Sequence, residues 1–211
     1  MNKIRCGFTL IEMLVVIVIL GVLVALIVPS VTRAREKGWE KRCAGNLRQL
    51  YAGALTHGAE KTWYPRGRSF IDEYDRRHSG WIHWVDWDSP DSYRYTGAEA
   101  ESNIKGGTLW PYMGGQIAVY SCPTHVRTNA VVVRSYAMYA DMCGSGGGSY
   151  QRVLTIRDAS QKIFFGEVTE ARLAKTDDGS FFVTTNNLAY RHNGRANIVY
   201  ADGHQESRAQ P

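Results

Sequence analysis

The sequence predicts an α+β protein in which one long N-terminal helix packs on an antiparallel β-sheet. Three observations carry that expectation. Phe8 to Val28 is an apolar run of 21 residues broken only by Thr9, Glu12 and Gly21. An amphipathic stretch follows it, and the C-terminal half alternates short β-branched and aromatic runs with turn residues. A content of 44% hydrophobic and 11% aromatic residues in 211 gives enough apolar material for one ordinary domain plus an appendage.

At about 1.5 Å rise per residue the apolar run makes a helix of roughly 31 Å, close to one hydrocarbon core. Beyond Pro29, Trp39, Cys43, Leu47, Leu50 and Ala54 recur at helical steps, so one stripe is apolar while cations fill the rest. The two stretches read as one helix from Phe8 to about Thr56, kinked or loosened at Pro29 and stopped near Gly58. From there to Gly115 the chain is rich in tryptophan, tyrosine and charge, and reads as an irregular connection with one short helix around Phe70 to Arg77. Strands are expected at Ile117–Ser121, Val131–Tyr139, Val153–Ile156, Lys162–Val168, Phe181–Thr185, Asn187–Arg191 and Ala196–Ala201. Turn signals separate them, among them Cys122-Pro123, Asp177-Asp178-Gly179-Ser180, His192-Asn193-Gly194 and Asp202-Gly203. The segments thus divide as 1–7, 8–28, 29–57, 58–115 and 116–211.

The formal charge is +5, and removing Lys3 and Arg5 with the first seven residues would lower it to +3. That balance is too mild to argue for nucleic acid. The cations Arg33, Arg35, Lys37, Lys41, Arg42 and Arg48, diluted by Glu36 and Glu40, read as a solvated helix face that also meets anionic lipid headgroups. By the positive-inside rule, this cluster after the apolar run would keep the C-terminal domain cytoplasmic. Of four cysteines, Cys6 precedes the run, leaving Cys43, Cys122 and Cys143. In an oxidising compartment Cys122 with Cys143 is the expected disulfide, both flanked by turn sequence, while Cys43 falls on a helix face as a small core residue. No Cys/His spacing suggests zinc, and no metal site is expected from it.

The run Gly7-Phe8-Thr9-Leu10-Ile11-Glu12-Met13-Leu14 resembles the N-terminal signal of type IV pilins and type II secretion pseudopilins. The resemblance implies a leader, residues 1–7, cut after Gly7 by a membrane prepilin peptidase that then methylates the new Phe8 terminus. It also implies a role for Pro29 as the family's helix-bending proline, and a long helix followed by a β-domain. An ordinary secretory signal would need small residues for cleavage after the apolar run, and Pro29-Ser30-Val31-Thr32-Arg33 does not supply them. A carboxylate inside an apolar helix is costly unless paired, so Glu12 is expected to pair with the α-amino group of a neighbouring subunit in a filament. The rival account leaves it hydrated near the membrane surface.

A second resemblance lies at the C-terminus. His192, nine intervening residues and Asp202-Gly203 are similar to the H-X9-DG element of a large group of prepilin-type proteins, and Gly107 to Tyr112, Cys122-Pro123 and Ser135 to Met138 resemble that group's interior. Read from the residues alone, His192 and Asp202 flank a hairpin and either meet at one end or cap opposite turns. An Asx-type turn at Asp202-Gly203 and a backbone-bonded histidine outweigh a binding site there. Calcium is the sharper alternative, with Asp177, Asp178, Asp202 and Glu167 as oxygen donors, although the spacing fits no EF-hand loop.

No nucleophile motif, phosphate loop or paired-carboxylate spacing appears, and His78, His83 and His125 are scattered, so neither catalysis nor a cofactor is expected. Trp81, Trp84 and Trp87 read as core or protein contact ahead of a sugar or membrane surface. The expected function is that of a single-pass inner-membrane subunit of a type IV pilus-like or secretion pseudopilus filament. Its partners would be prepilin peptidase, other subunits and lipid, and its domain would face the periplasm or the filament surface. The leader resemblance outweighs the positive-inside count in that orientation. The alternatives are a DNA-uptake or surface-binding minor pilin, a non-polymerising membrane-tethered binding domain, and a tethered enzyme built on His192 and Asp202.

Overall fold

A computed structural model describes residues 9–67, 70–71, 77–83, 98–128, 134–139, 142, 152, 156–169, 180–181 and 188–211. The chain divides into two compact units, Met1–Gly38 and Trp39–Pro211.

Helix α1 spans Leu10–Lys61, 52 residues. It opens with a capping box: Thr9 Oγ1 accepts the Glu12 amide at 3.3 Å, while the Glu12 carboxylate accepts the Thr9 amide and hydroxyl at 2.8 Å each. The helix runs unbroken through Pro29, whose missing N–H costs one intrahelical bond without ending the element. Leu10 to Val28 is exposed around the whole helix circumference within the chain. Its C-terminal part instead buries Cys43, Asn46, Leu47, Leu50, Tyr51, Gly53, Ala54, His57 and Gly58, so the apolar stripe read from the sequence is the packed face. Trp39, the first member of that stripe, is half-buried beneath the Arg127 guanidinium, 4.3 Å from its ring centroid. The helix outlasts the expected stop because Gly58 is buried inside it, and His57 Nδ1 meets the Trp63 carbonyl at 3.0 Å only beyond its end.

The connection holds more order than its sequence suggests. At the two ends of the segment read as a short helix, β1 (Phe70–Ile71) pairs antiparallel with β2 (Arg77–His78), and residues 72–76 lie outside the described residues. Helix α2 (Ala98–Lys105) leads to a 3-10 turn at Trp110–Met113, a second at Ile117–Tyr120, and helix α3 (Pro123–Thr128). The strand expected at Ile117–Ser121 is therefore corrected to a 3-10 turn. The Asn46 side-chain amide reaches from α1 to the Ser121 carbonyl at 2.9 Å, satisfying an acceptor that a sheet would otherwise have to pair.

The main sheet runs β5–β3–β4–β6–β7 with β3 at Tyr136–Tyr139, β4 at Ile163–Glu167, β5 at Ser180–Phe181, β6 at Arg195–Tyr200 and β7 at Gln205–Ala209. Four strands form an antiparallel meander-like ladder, and β5 joins β3 in parallel. Every residue of β4 is buried, as befits a central strand covered on both faces. Phe164 packs edge-on to Tyr51 of α1 and to Tyr64, while Phe165 meets Trp81, which stacks on Tyr120. Trp81 is thus core; Trp84 and Trp87 lie outside the described residues, as do 131–133, 153–155, 182–185 and 187 of the expected strands. Leu188 makes an isolated bridge to Val168, and Arg191 falls in a turn, so Asn187–Arg191 is not a full strand.

Strand β7 has no apolar pattern in the sequence; its place comes from a five-pair ladder with β6 and from the helix. Gln205 donates to the Ala44 carbonyl at 2.6 Å and accepts from Arg48 at 3.2 Å, and Ser207 donates to Glu40 at 3.0 Å. These bonds tie the edge strand to the basic face of α1.

Candidate functional site

Two regions answer to the residues singled out above. The first is the start of α1. Gly7 and Phe8 lie outside the described residues. Glu12 is four residues beyond Phe8 and serves as the N3 partner of the Thr9 cap, a local role that sequence reading did not assign to it. Both members of the box face solvent within the chain, so the carboxylate carries its hydrogen bonds without being buried. From Leu10 onward the helix is long and apolar enough to cross a membrane by length and composition. Its exposed leucines, isoleucines and valines require an apolar surround from outside the chain. A membrane anchor fits that requirement.

The second region is built around β6. His192 sits in the turn before β6, where its amide donates to the Arg195 carbonyl at 3.1 Å and its carbonyl accepts the Arg195 amide at 3.0 Å. Asp202 and Gly203 form the turn after it. Six residues of strand separate the two turns, about 20 Å at roughly 3.3 Å per residue. His192 and Asp202 therefore cap opposite turns and build no shared pocket. Asp202 Oδ1 accepts the His204 amide at 3.0 Å, the Asx-type turn read from the sequence. Gly203 has φ +89°, and a Cβ there would approach Tyr51 Cε1 to 2.7 Å, so glycine meets both a left-handed backbone and a close helix. The Tyr51 hydroxyl donates to the Ala201 carbonyl at 2.8 Å, fixing this turn against α1.

The proposed calcium ligands are not brought together among the described residues. Asp177 and Asp178 lie outside them, and Glu167 is on β4 with its side chain turned to His192, at the other end of β6 from Asp202.

What sequence reading missed is the company His192 keeps. Its Nε2 lies 2.9 Å from Glu167 Oε1 and 3.6 Å from Cys122 Sγ, and both acid and imidazole are almost wholly sealed from solvent. Glu167 Oε2 accepts the Asn197 amide at 2.9 Å. Cys122, held by its amide donating to Ser135 Oγ at 2.8 Å, is bonded to Cys43 of α1, with Cα atoms 5.3 Å apart. The disulfide expected between Cys122 and Cys143 is thereby corrected: Cys122 takes Cys43, and Cys143 lies outside the described residues. The buried stripe of α1 faces the segment before α3, so a helix residue is nearer to Cys122 than turn-flanking sequence suggested. The Tyr136 hydroxyl donates to Cys43 Sγ at 3.2 Å and accepts from Asn46 at 3.4 Å. Burial first, then the Glu167 charge, push that hydroxyl far above its ordinary range, so it remains a donor. The cluster draws on α1, the α3 entry, β4 and the β6 entry, and no local spacing signals it.

Comparison with known proteins bears on the first region. Residues 2–28 match the family model described as prokaryotic N-terminal methylation motif. The chain is 30% identical over 76 residues to type II secretion system core protein G of Pseudomonas aeruginosa, covering 36% of this chain and 54% of that one. Proteins of the same name from Aeromonas hydrophila and Dickeya chrysanthemi are 33% identical over 68 residues and 35% over 65, covering 32% and 31% of this chain and 48% and 42% of theirs. The chain spans about half the length of the curated relatives it matches. No solved structure matches. Over residues 2–28 the chain is thus similar to the N-terminal methylation motif, and over about a third of its length to type II secretion system core proteins G, the similarity going with a long apolar helix.

Proposed function

We propose that the protein is a structural subunit of a type IV pilus-like or secretion pseudopilus filament, cleaved after Gly7, methylated at Phe8 and assembled through α1. The observation that carries this reading is that Leu10 to Val28, apolar but for Glu12 and Gly21, is exposed along its whole length among the described residues. A bilayer covers such a surface before assembly and neighbouring helices cover it afterwards. Relatives named for the type II secretion system support the pseudopilus branch. The globular domain faces the periplasm or the filament surface, and the cations after Val31 lie at the lipid headgroups. Prepilin peptidase and other subunits are the partners; nucleic acid is not required, and assembly itself calls for no enzyme activity and no cofactor.

The test is mass spectrometry of the N-terminus of membrane-extracted protein. A methylated Phe8 terminus is expected from the parent, and an unprocessed but membrane-bound chain from Gly7→Arg, because a small residue is needed at the cut while the anchor is unchanged. Normal processing of Gly7→Arg would remove the leader from this account.

A further inference from the structure

The filament reading makes no use of Cys43, Cys122, Glu167 and His192, whose four donor atoms lie within 4.8 Å of one another and are all buried. We propose that in the reduced chain these four side chains bind one Zn2+, the two thiols giving up their protons to solvent as the ion enters.

The donor set suits the metal. Two sulfurs, one imidazole nitrogen and one carboxylate oxygen make a four-coordinate set of the kind a borderline-soft divalent ion takes in a closed structural site. Bond lengths to zinc imply a tetrahedral sulfur–nitrogen edge of about 3.5 Å, and Cys122 Sγ lies 3.6 Å from His192 Nε2. The 2.9 Å approach of that nitrogen to Glu167 Oε1 is one that either a proton or a cation bridges.

Burial argues in the same direction. Glu167 has no exposed side-chain surface, and a sealed carboxylate needs a positive partner or several donors. Among the described residues two hydrogen-bonding groups reach its oxygens, the Asn197 amide and the His192 ring. The second ring nitrogen, His192 Nδ1, is buried without a hydrogen-bond partner among the described residues, so nothing there prevents it from carrying the proton and leaving Nε2 bare for a metal. Outer contacts are those that stabilise anionic ligands: the Tyr136 hydroxyl donates to Cys43 Sγ, and the Asn197 amide donates to Glu167 Oε2. Two thiolates and a carboxylate around a dication leave one negative charge.

The disulfide between Cys43 and Cys122 is the two-electron oxidised form of the same thiols and has no thiolate to offer, so disulfide and cation exclude one another. A phosphine converts the disulfide into the two free thiols, taking up an oxygen from water as phosphine oxide, and the cation then binds in a separate step.

The experiment titrates Co2+, a spectroscopic stand-in for zinc, into the full chain in detergent after phosphine reduction. One equivalent per chain is expected to raise an intense thiolate-to-cobalt absorption, which Zn2+ then abolishes by displacement. The unreduced chain gives none. Cys122→Ser is expected to lose the band, and Glu167→Gln and His192→Gln to lower Co2+ affinity at least about tenfold, the scale on which metal sites respond to altered coordination. Cys143→Ser leaves the titration unchanged. Circular dichroism checks that each variant is folded, and the parent chain compared before and after reduction stands even where a variant is not. A reduced, folded parent without the absorption would overturn the proposal. So would a band that survives in both Glu167→Gln and His192→Gln, or one that vanishes in Cys143→Ser.

Discussion

Helix α1 places the same kind of side chain in two settings. Between Leu10 and Val28 the leucines, isoleucines and valines are about half exposed or more, whereas Leu47 and Leu50 are fully buried under the sheet. The first stretch is apolar all round and the second along one stripe, and that difference in pattern reports where the covering surface comes from. A stripe is matched to a sheet of the same chain. A whole circumference can be matched only by a solvent that is itself apolar or by several other helices. The sequence of one helix thus separates what its own domain covers from what needs covering from outside, and substitutions in its two parts are expected to be felt in different measurements.

Glu12 gives the largest expected effect. If its carboxylate pairs with the Phe8 α-amino group of a neighbour in a low-dielectric surround, removing one partner costs about 3 to 5 kcal/mol, or roughly two to four decades in the assembly constant. Glu12→Ala is therefore expected to insert and be processed like the parent yet fail to enter sedimentable filaments at equal expression. The capping box adds a second route to the same loss, since a missing cap costs about 1 kcal/mol of helix stability. Glu12→Gln separates the two, because glutamine keeps the cap but not the charge. Assembly rescued by Glu12→Gln would assign the residue to the helix start alone; assembly of Glu12→Ala at parental levels would break the pairing model.

On the folding side of the comparison, Leu50→Ala is expected to lower domain stability by about 2 to 5 kcal/mol, as for other fully buried leucines, while Leu20→Ala leaves the domain melting temperature unchanged. Equal shifts in a thermal melt would show that the exposed stretch is part of the domain's cooperative unit. Gly107→Ala comes next. A Cβ at that position would stand 2.2 Å from the Trp81 carbonyl oxygen and 2.5 Å from Ile82 Cα, both backbone atoms that a side-chain rotation cannot move aside. A loss of about 1 to 3 kcal/mol in denaturant unfolding is expected, the range for forced overpacking.

Legibility in the sequence follows the range of the interaction. Both parts of α1 were readable because an unbroken apolar run and a helical stripe are local signals, as were β4 and β6 from their β-branched and aromatic residues. Ile117 to Ser121 has strand composition but turns as a 3-10 helix: left-handed Gly114 and Gly115 come just before it, Pro123 comes just after, and Asn46 from a distant helix satisfies its end. Gln205 to Arg208 is polar throughout and becomes a strand because β6 and α1 offer partners on either side. The pairing of Cys122 was beyond any local rule, since Cys43 is 79 residues away. Of the C-terminal pair, the Asp202 turn was legible from two adjacent residues. The burial of His192 against Glu167 was not, because strand register and helix packing decide it together.

The smallest expected effect tests that turn. Asp202→Ala removes the carboxylate that accepts the His204 amide, and about 1 kcal/mol of stability should go with it, the usual net value of one hydrogen bond. Partial burial alone would push the Asp202 carboxyl up, but the His204 amide and ring outweigh it and hold the group below its ordinary value. A depressed folded-state value means that the turn's contribution is fully present above the ordinary carboxylate range, near about 4, and is lost as the pH falls through the lowered value. The difference in melting temperature between parent and Asp202→Ala should accordingly be constant near neutrality and close in acid. The group is largely solvent-facing, so this closing is a small one. Calcium supplies the contrary outcome. If added Ca2+ raises the melting temperature of the parent but not of Asp202→Ala, the carboxylate serves an ion and the difference between the two proteins will track calcium concentration. If it raises neither, the residue does what its two hydrogen bonds to His204 imply and holds the β6–β7 turn closed against Tyr51.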